Sequence, residues 1–243
     1  MTLENCKILN RDQIKLLAVV TMTLNHFAHV FLTPGTVQCE VLQDIGYFTA
    51  MTMCFFLVEG YRYTRSRRDY ARRLLAFAIL SQVPYVLALG IYQLNVLFTL
   101  LICFLILCLM DSAMAPWKRR LSIFGLFLVS CACDWSFMLP MGAVLLKRGE
   151  GQPRRQVLAY AAVAGVFWLL NIPGYMDAGV GSALLHSFYA ILGIAASAAA
   201  VLVFYNGRRS QRRGPLSKWF FYIYYPAHIT ALWLIRIAVQ RAA

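Results

Sequence analysis

Long apolar segments alternate with short polar stretches along this chain, and nearly all the positive charge is gathered into alternate stretches. That pattern limits what the chain can fold into more than any other feature. The apolar segments cover residues 14–32, 41–61, 74–89, 96–110, 121–133, 137–146, 157–170, 183–204 and 219–235. Several approach the roughly 20 residues that a helix needs to cross hydrocarbon. Of the 23 Lys and Arg, 21 fall within residues 7–15, 62–73, 118–120, 147–155 and 208–218. The loops 33–40, 90–95 and 171–182 contain none, and carry Glu40 and Asp177 instead. Positive charge kept to one side of a membrane predicts a cytoplasmic N-terminus and a last span that ends outside, provided residues 121–146 return to the side they left. The expectation is an all-α, polytopic integral membrane bundle forming one domain over residues 1–243, with about 8–10 membrane segments.

Composition agrees and removes other classes. The chain is 60% hydrophobic and 14% charged, with mean hydropathy +0.63, whereas soluble domains carry about 25% charged residues. That much apolar surface needs lipid to cover it. A net charge of +13 suits nucleic acid in principle, but here the basic residues sit between spans, so no nucleic-acid partner is predicted. No cleavable signal peptide is expected, because the opening residues are polar and no small-residue cleavage site follows the first apolar segment. Five cysteines (Cys54, Cys103, Cys108, Cys131, Cys133) lie in apolar segments without a CxxC pair or zinc spacing, so they read as reduced thiols and no metal is predicted.

Segments 121–133 and 137–146 are too short to span comfortably. They read as a hairpin around Asp134-Trp135-Ser136, made of two tilted spans or a re-entrant loop buried in protein.

Ionisable groups inside spans are costly and mark candidate sites. The first span holds Lys15, Asn25, His26 and His29. Lys15 and His26 are eleven residues apart, three helical turns plus about 20°, so they share a face about 16 Å apart along the axis. A cation at the cytoplasmic mouth can hold an anionic co-substrate, and an imidazole deeper in the span can take a proton from an acceptor. The plainer alternatives are a snorkelling lysine and a histidine bonded to a neighbouring helix. His29 lacks thiolate or carboxylate partners nearby for a metal. Glu59 precedes the basic block and could pair with Arg62 or Tyr63. Asp134, at the hairpin tip, is a carboxylate that needs a partner, either a histidine or a substrate amine. Asn95 can cap the fourth span. His228 follows Pro226, which frees backbone groups, and reads as structural first. The blocks RYTRSRRDYARR and YNGRRSQRRGPLSK, with Arg62 and Arg208, could meet phosphates or could serve topology alone. No GxGxxG or Walker sequence is present.

The stretches IKLLAVVTMTLNH, MCFFLVEGYRYTRSRRDYARRLLAFAILSQVPY, NVLFTLL, the DW of the hairpin, YNGRR and KWFFYIYYPAH run in order over nearly the whole chain. Together they resemble the TraX family, named for the conjugation protein that acetylates the N-terminus of F-type pilin. The family looks related to membrane acyltransferases whose first span carries a basic residue, ten residues, then His, and Lys15 and His26 fit that spacing. The resemblance implies a multi-pass protein of the bacterial plasma membrane that takes acetyl-CoA or another acyl-CoA at the cytoplasmic face. It implies His26 as reaction centre and makes Glu59, Asn95, Asp134, Asn206 and His228 motif positions. An acidic residue often precedes this histidine in the family. Here it is Asn25, so Asp134 or Glu59 would have to supply the carboxylate.

The expected catalytic group is therefore His26, Asp134 and Glu59, and the expected donor-binding group is Lys15, Arg62, Asn95, Asn206 and Arg208. The expected reaction moves an acyl group from acyl-CoA to an amine or hydroxyl of a peptide, lipid or glycan, with membrane lipids as the other partner. A lipid or solute transporter using the same charges as a relay, and a non-catalytic assembly factor for a surface appendage, are the alternatives.

Overall fold

A computed structural model describes residues 6–208 and 215–242. Arg209, Arg212 and Arg213 of the last basic block lie outside the described residues. Among these residues the protein is all-α, with two isolated β-bridges and no strand. The described residues form, in order, the α-helices α1 Arg11–Phe31, α2 Val37–Tyr63, α3 Arg67–Leu89, α4 Val96–Met110, α5 Pro116–Ser130, α6 Met138–Arg148, α7 Pro153–Asn171, α8 Val180–Ala199 and α9 Pro215–Ala242. A 3-10 segment, Ile172–Ala178, joins α7 to α8, and a π-helical turn, Ala200–Phe204, closes α8.

Each expected apolar segment is a helix, and local chemistry fixes several of the ends. At α1, Asn10 Oδ1 accepts from the backbone N–H groups of Asp12 and Gln13, both at 3.0 Å. Gln13 Oε1 accepts from the Asn10 N–H at 2.9 Å, which completes a capping box. Ser66 caps α3, whose C-terminus stops at Gly90 with φ +70°, the left-handed conformation that glycine adopts at no steric cost. Pro116 and Pro153 open α5 and α7, where a missing N–H is not missed.

Among the described residues, five helical stretches are long and apolar enough to cross a membrane: α1, α2, α3, Pro153–Ala178 and Val180–Phe204. The others differ for identifiable reasons. α4 is strongly apolar but has 15 residues, about 22 Å of helix against roughly 30 Å of hydrocarbon. α5 and α6, with 15 and 11 residues, form the short hairpin. α9 has 28 residues but carries Pro226 and His228 within its apolar stretch and Arg236 directly after it.

The chain divides into two compact units, Met1–Met53 with Gly149–Lys218, and Cys54–Arg148 with Trp219–Ala243. The first contains α1, the opening of α2, α7 and α8. Lipid gives helices little hydrophobic reason to associate, so small residues and polar contacts do the work. Between α1 and α2, Thr49 Oγ1 donates to the Ala18 carbonyl at 2.7 Å and lies 2.9 Å from Thr21 Oγ1. Gly46 lets the Asn25 side chain lie against α2, since a Cβ there would come within 2.2 Å of Asn25 Cβ. Between α2 and α8, Thr52 and Ser197 hydroxyls meet at 2.8 Å, and Gly193 admits the Asp44 carbonyl, 2.3 Å from where a Cβ would stand. Trp168 Nε1 on α7 donates to the Leu184 carbonyl of α8 at 3.2 Å.

The second unit is built around α4, whose Cys103, Phe104, Ile106 and Leu107 are fully buried. Ile102 and Ile106 pack with Cys133 of the hairpin tip, surrounded by Phe98, Leu126, Phe127 and Val144. The segment leading into α4 pairs with that tip: the Leu94 N–H donates to the Ala132 carbonyl at 3.0 Å and the Asp134 N–H to the Leu94 carbonyl at 2.7 Å. Trp135 turns the tip with φ +52°, an uncommon conformation for a bulky side chain.

Candidate functional site

In the first unit, α1 presents two adjacent stripes. Ala18, Thr21, Asn25 and Ala28 face α2, as their bonds to Thr49, Gln43 and Cys39 show. Lys15, Val19, Met22 and His26 form the neighbouring stripe, in which Val19, Met22 and His26 are buried and Lys15 is partly buried. His26 is 8% exposed. Asn25, its sequence neighbour, is turned away into the α1–α2 contact, where its Nδ2 donates to the Gln43 carbonyl at 2.9 Å. His29 Nδ1 lies 3.4 Å from Gln43 Nε2 on α2.

Two of the expected donor residues gather where α1 begins. The Leu9 N–H donates to the Phe204 carbonyl at 2.9 Å, the Asn206 N–H to the Leu9 carbonyl at 2.9 Å, and the Arg11 N–H to the Arg208 carbonyl at 3.0 Å. The Asn206 side chain accepts from the Arg208 N–H at 2.9 Å, an Asx turn that shapes the YNGRR segment. The backbones of Arg11 and Arg208 are thus in direct contact, one helical turn before Lys15. Arg11, Arg208 and Lys15 lie near one helix mouth, where the Arg11 guanidinium faces Asp12 at 3.6 Å, and guanidinium and ammonium groups there suit phosphate.

The other expected residues belong to the second unit. Asn95 is fully buried and its polar groups are occupied. Its Oδ1 caps α4 through the Leu97 N–H at 3.0 Å, and its Nδ2 donates to the Ala78 carbonyl at 2.8 Å and to Gln82 Oε1 at 2.9 Å. The capping alternative for Asn95 is therefore what the geometry displays. Asp134 sits at the hairpin tip, with its backbone carbonyl accepting from Thr99 Oγ1, and the buried phenols of Tyr85 and Tyr225 lie within electrostatic reach of its carboxylate. Glu59 is partly buried near the end of α2 and Arg62 is exposed over the Tyr63 ring, 5.4 Å from its centroid. His228 is 7% exposed. Its Nδ1 lies 2.9 Å from the Tyr224 carbonyl and its ring stacks on Tyr224 at 5.0 Å.

Two features were not anticipated from the sequence. His186, on α8, pairs with Glu40 in the first turn of α2, Nδ1 to Oε2 at 2.8 Å. In the second unit, Asp111, the C-cap of α4, accepts from Tyr61 Oη at 2.8 Å and faces Arg67 and Lys147 at 3.6 and 3.5 Å. Among the described residues no group of three or more His, Cys, Asp or Glu is placed to hold a metal.

Comparison with known proteins bears on the whole chain. The sequence profile of the family described as "TraX protein" matches residues 10–236. The chain is 30% identical over 246 residues to a "Probable fimbrial assembly protein FimC, serogroup H1" of Dichelobacter nodosus, covering 94% of this chain and 96% of that protein. No solved structure matches it. A profile match from the cap of α1 to the last turns of α9, with a relative aligned almost end to end, identifies this chain as a member of the TraX family.

Proposed function

We propose that this protein is a membrane-embedded acyltransferase. It moves an acyl group, acetyl in the simplest case, from a CoA thioester to an amine or hydroxyl acceptor during assembly of a fimbrial or pilus protein. Family membership supports the chemistry, because the TraX resemblance implies acetyl transfer, and the name of the relative supports the setting. The observation that carries the proposal is the face of α1 on which His26 is buried in line with Lys15, at whose entrance the backbones of Arg11 and Arg208 meet.

In this reading Lys15, Arg11 and Arg208 hold the phosphates of the donor by charge-assisted bonds. The one-sided basic loops put that mouth in the cytoplasm of a bacterial cell. A neutral imidazole at His26 takes the acceptor proton, or attacks the thioester carbonyl carbon and carries the acyl group while the C–S electron pair leaves on sulfur.

Purified protein in detergent, given acetyl-CoA and a peptide with a free amino terminus, tests this directly. His26→Ala should lower CoA release by about 10²–10⁴-fold while leaving the thermal transition in place. His29→Ala should cost far less, and Lys15→Ala should chiefly raise the KM for acetyl-CoA. A wild-type protein that transfers nothing to any amine or hydroxyl would overturn the proposal in favour of a transporter.

A further inference from the structure

The pair formed by Glu40 and His186 lies at the end of the first unit opposite the donor mouth. α1 ends there, and α2 and α8 begin there. Cys39 Sγ reaches the Ala28 carbonyl and Asn25 bonds to the Gln43 carbonyl. Glu40, one residue on from Cys39, is therefore level with the stretch of α1 just past His26, within about one helical turn along the axis.

The composition of this end is unusual. No Lys or Arg occurs from residue 16 to 61 or from 156 to 207. The carboxylate is therefore tied to a group that can give up its proton, and not to a permanent cation. Glu40 Oε2 holds Nδ1 of His186 at 2.8 Å, and the Tyr175 ring stacks on the imidazole at 5.1 Å and 16°. A carboxylate on Nδ1 fixes the tautomer and orientation of the ring and leaves the Nε2 lone pair to accept a proton. Nε2 makes no hydrogen bond among the described residues, and the His186 side chain is 35% exposed. A pair that served only to clamp α2 to α8 would need neither the stacking ring nor an accessible second nitrogen.

We infer that Glu40 and His186 form a proton-accepting dyad for the acyl acceptor, with His186 as the base and Glu40 as its positioning residue. The inference rests on the acyl-transfer reading above and adds to it where the acceptor enters. The acceptor nitrogen or oxygen uses its lone pair to form the bond to the acyl carbon. With the acyl group already carried by His26 and the CoA thiolate released, the bond from that carbon to the His26 ring nitrogen breaks with its electron pair on nitrogen. The acceptor proton passes to Nε2 of His186 and from there, through water, to the thiolate. Oxidation states do not change, and the products are the acylated acceptor and CoA.

Two probe acceptors with acetyl-CoA separate this from a structural role. A short peptide with a free amino terminus must lose a proton to a base, whereas hydroxylamine is a strong nucleophile that needs little help near neutral pH. His186→Gln should lower transfer to the peptide by about 100-fold, the size typical of a lost general base, and leave transfer to hydroxylamine within a few-fold of wild type. Glu40→Gln should act in the same direction by a smaller factor, and added imidazole should restore part of the peptide activity of His186→Ala. Equal loss with both acceptors would show that the pair is only a clamp, and no loss with either would also overturn the dyad. A wild type active with neither acceptor would overturn the acyl-transfer reading itself. If His186→Gln lacks a normal thermal transition, the same two-acceptor comparison on Glu40→Gln decides.

Discussion

Two carboxylates at helix ends, Asp111 in one unit and Glu40 in the other, keep opposite company. Asp111 Oδ2 receives the Tyr61 hydroxyl and faces Arg67 and Lys147, and both cations also lie over the Tyr61 ring, 4.5 and 5.1 Å from its centroid. The end of α2, the start of α3 and the ends of α4 and α6 meet there around fixed charges, with Tyr70 stacked on Phe104 beside them at 4.6 Å. Among the described residues Glu40 pairs with one imidazole and with no Lys or Arg. A carboxylate saturated by permanent donors holds helices and can do little else. One whose partner can change protonation holds them less firmly and keeps a chemical option open.

The contrast should appear as a gradient of stability, measured by thermal or denaturant unfolding in detergent. Asp111→Ala should cost the most, about 2–3 kcal/mol, because it strips the common acceptor from a hydroxyl and two cations, while turnover per folded molecule stays near wild type. A loss below about 0.5 kcal/mol would mean that the cluster is not the fastening it resembles. Glu40→Gln should cost about 1 kcal/mol, since the amide oxygen can still accept from His186. A penalty as large as that of Asp111 would make Glu40 a fastening too, and would erase the contrast. Arg72→Ala should change stability least, by under about 0.5 kcal/mol, because its contact with Asp69 is 3.7 Å long with both side chains more than half exposed.

Much of the fold could be read from sequence because it rests on local rules. Apolar runs, the Asn95 and Ser66 caps and the proline starts each act within a few residues, and every expected segment is helical. The site was less legible, for two physical reasons. The expected start of the second segment at residue 41 treated Glu40 as a loop acid, whereas α2 begins at Val37 and makes it a helix residue. His186 lies in a segment read for length alone, although the cost of an ionisable group in a span applies to it as to His26. Its partner is 146 positions away in the chain, a pairing that no periodicity reveals. The same holds for Asp111, whose donors come from three separated helices. Of the expected residues, Lys15, Asn25, His26, Asn206 and Arg208 fall in the first unit, and Glu59, Arg62, Asn95, Asp134 and His228 in the second.

The π-helical turn at Ala200–Phe204 places a constraint of counting on the chain. A π turn takes up one more residue per turn than an α turn. It therefore sets the angular phase at which the chain leaves α8 after Ser197, which is held by Thr52, and reaches Tyr205, which is bridged to Leu9. Winding the same five residues, Ala, Val, Leu, Val and Phe, as ordinary α-helix would carry the chain further round the axis. Everything beyond would then rotate by about 100° about the helix axis. Asn206 would swing away from Leu9 and Arg208 from Arg11, with no side chain of the clamp altered. Here the way the residues wind is tied to their number, so a stretch that looks like filler for lipid acts as a spacer that keeps the YNGRR segment in register with the start of α1.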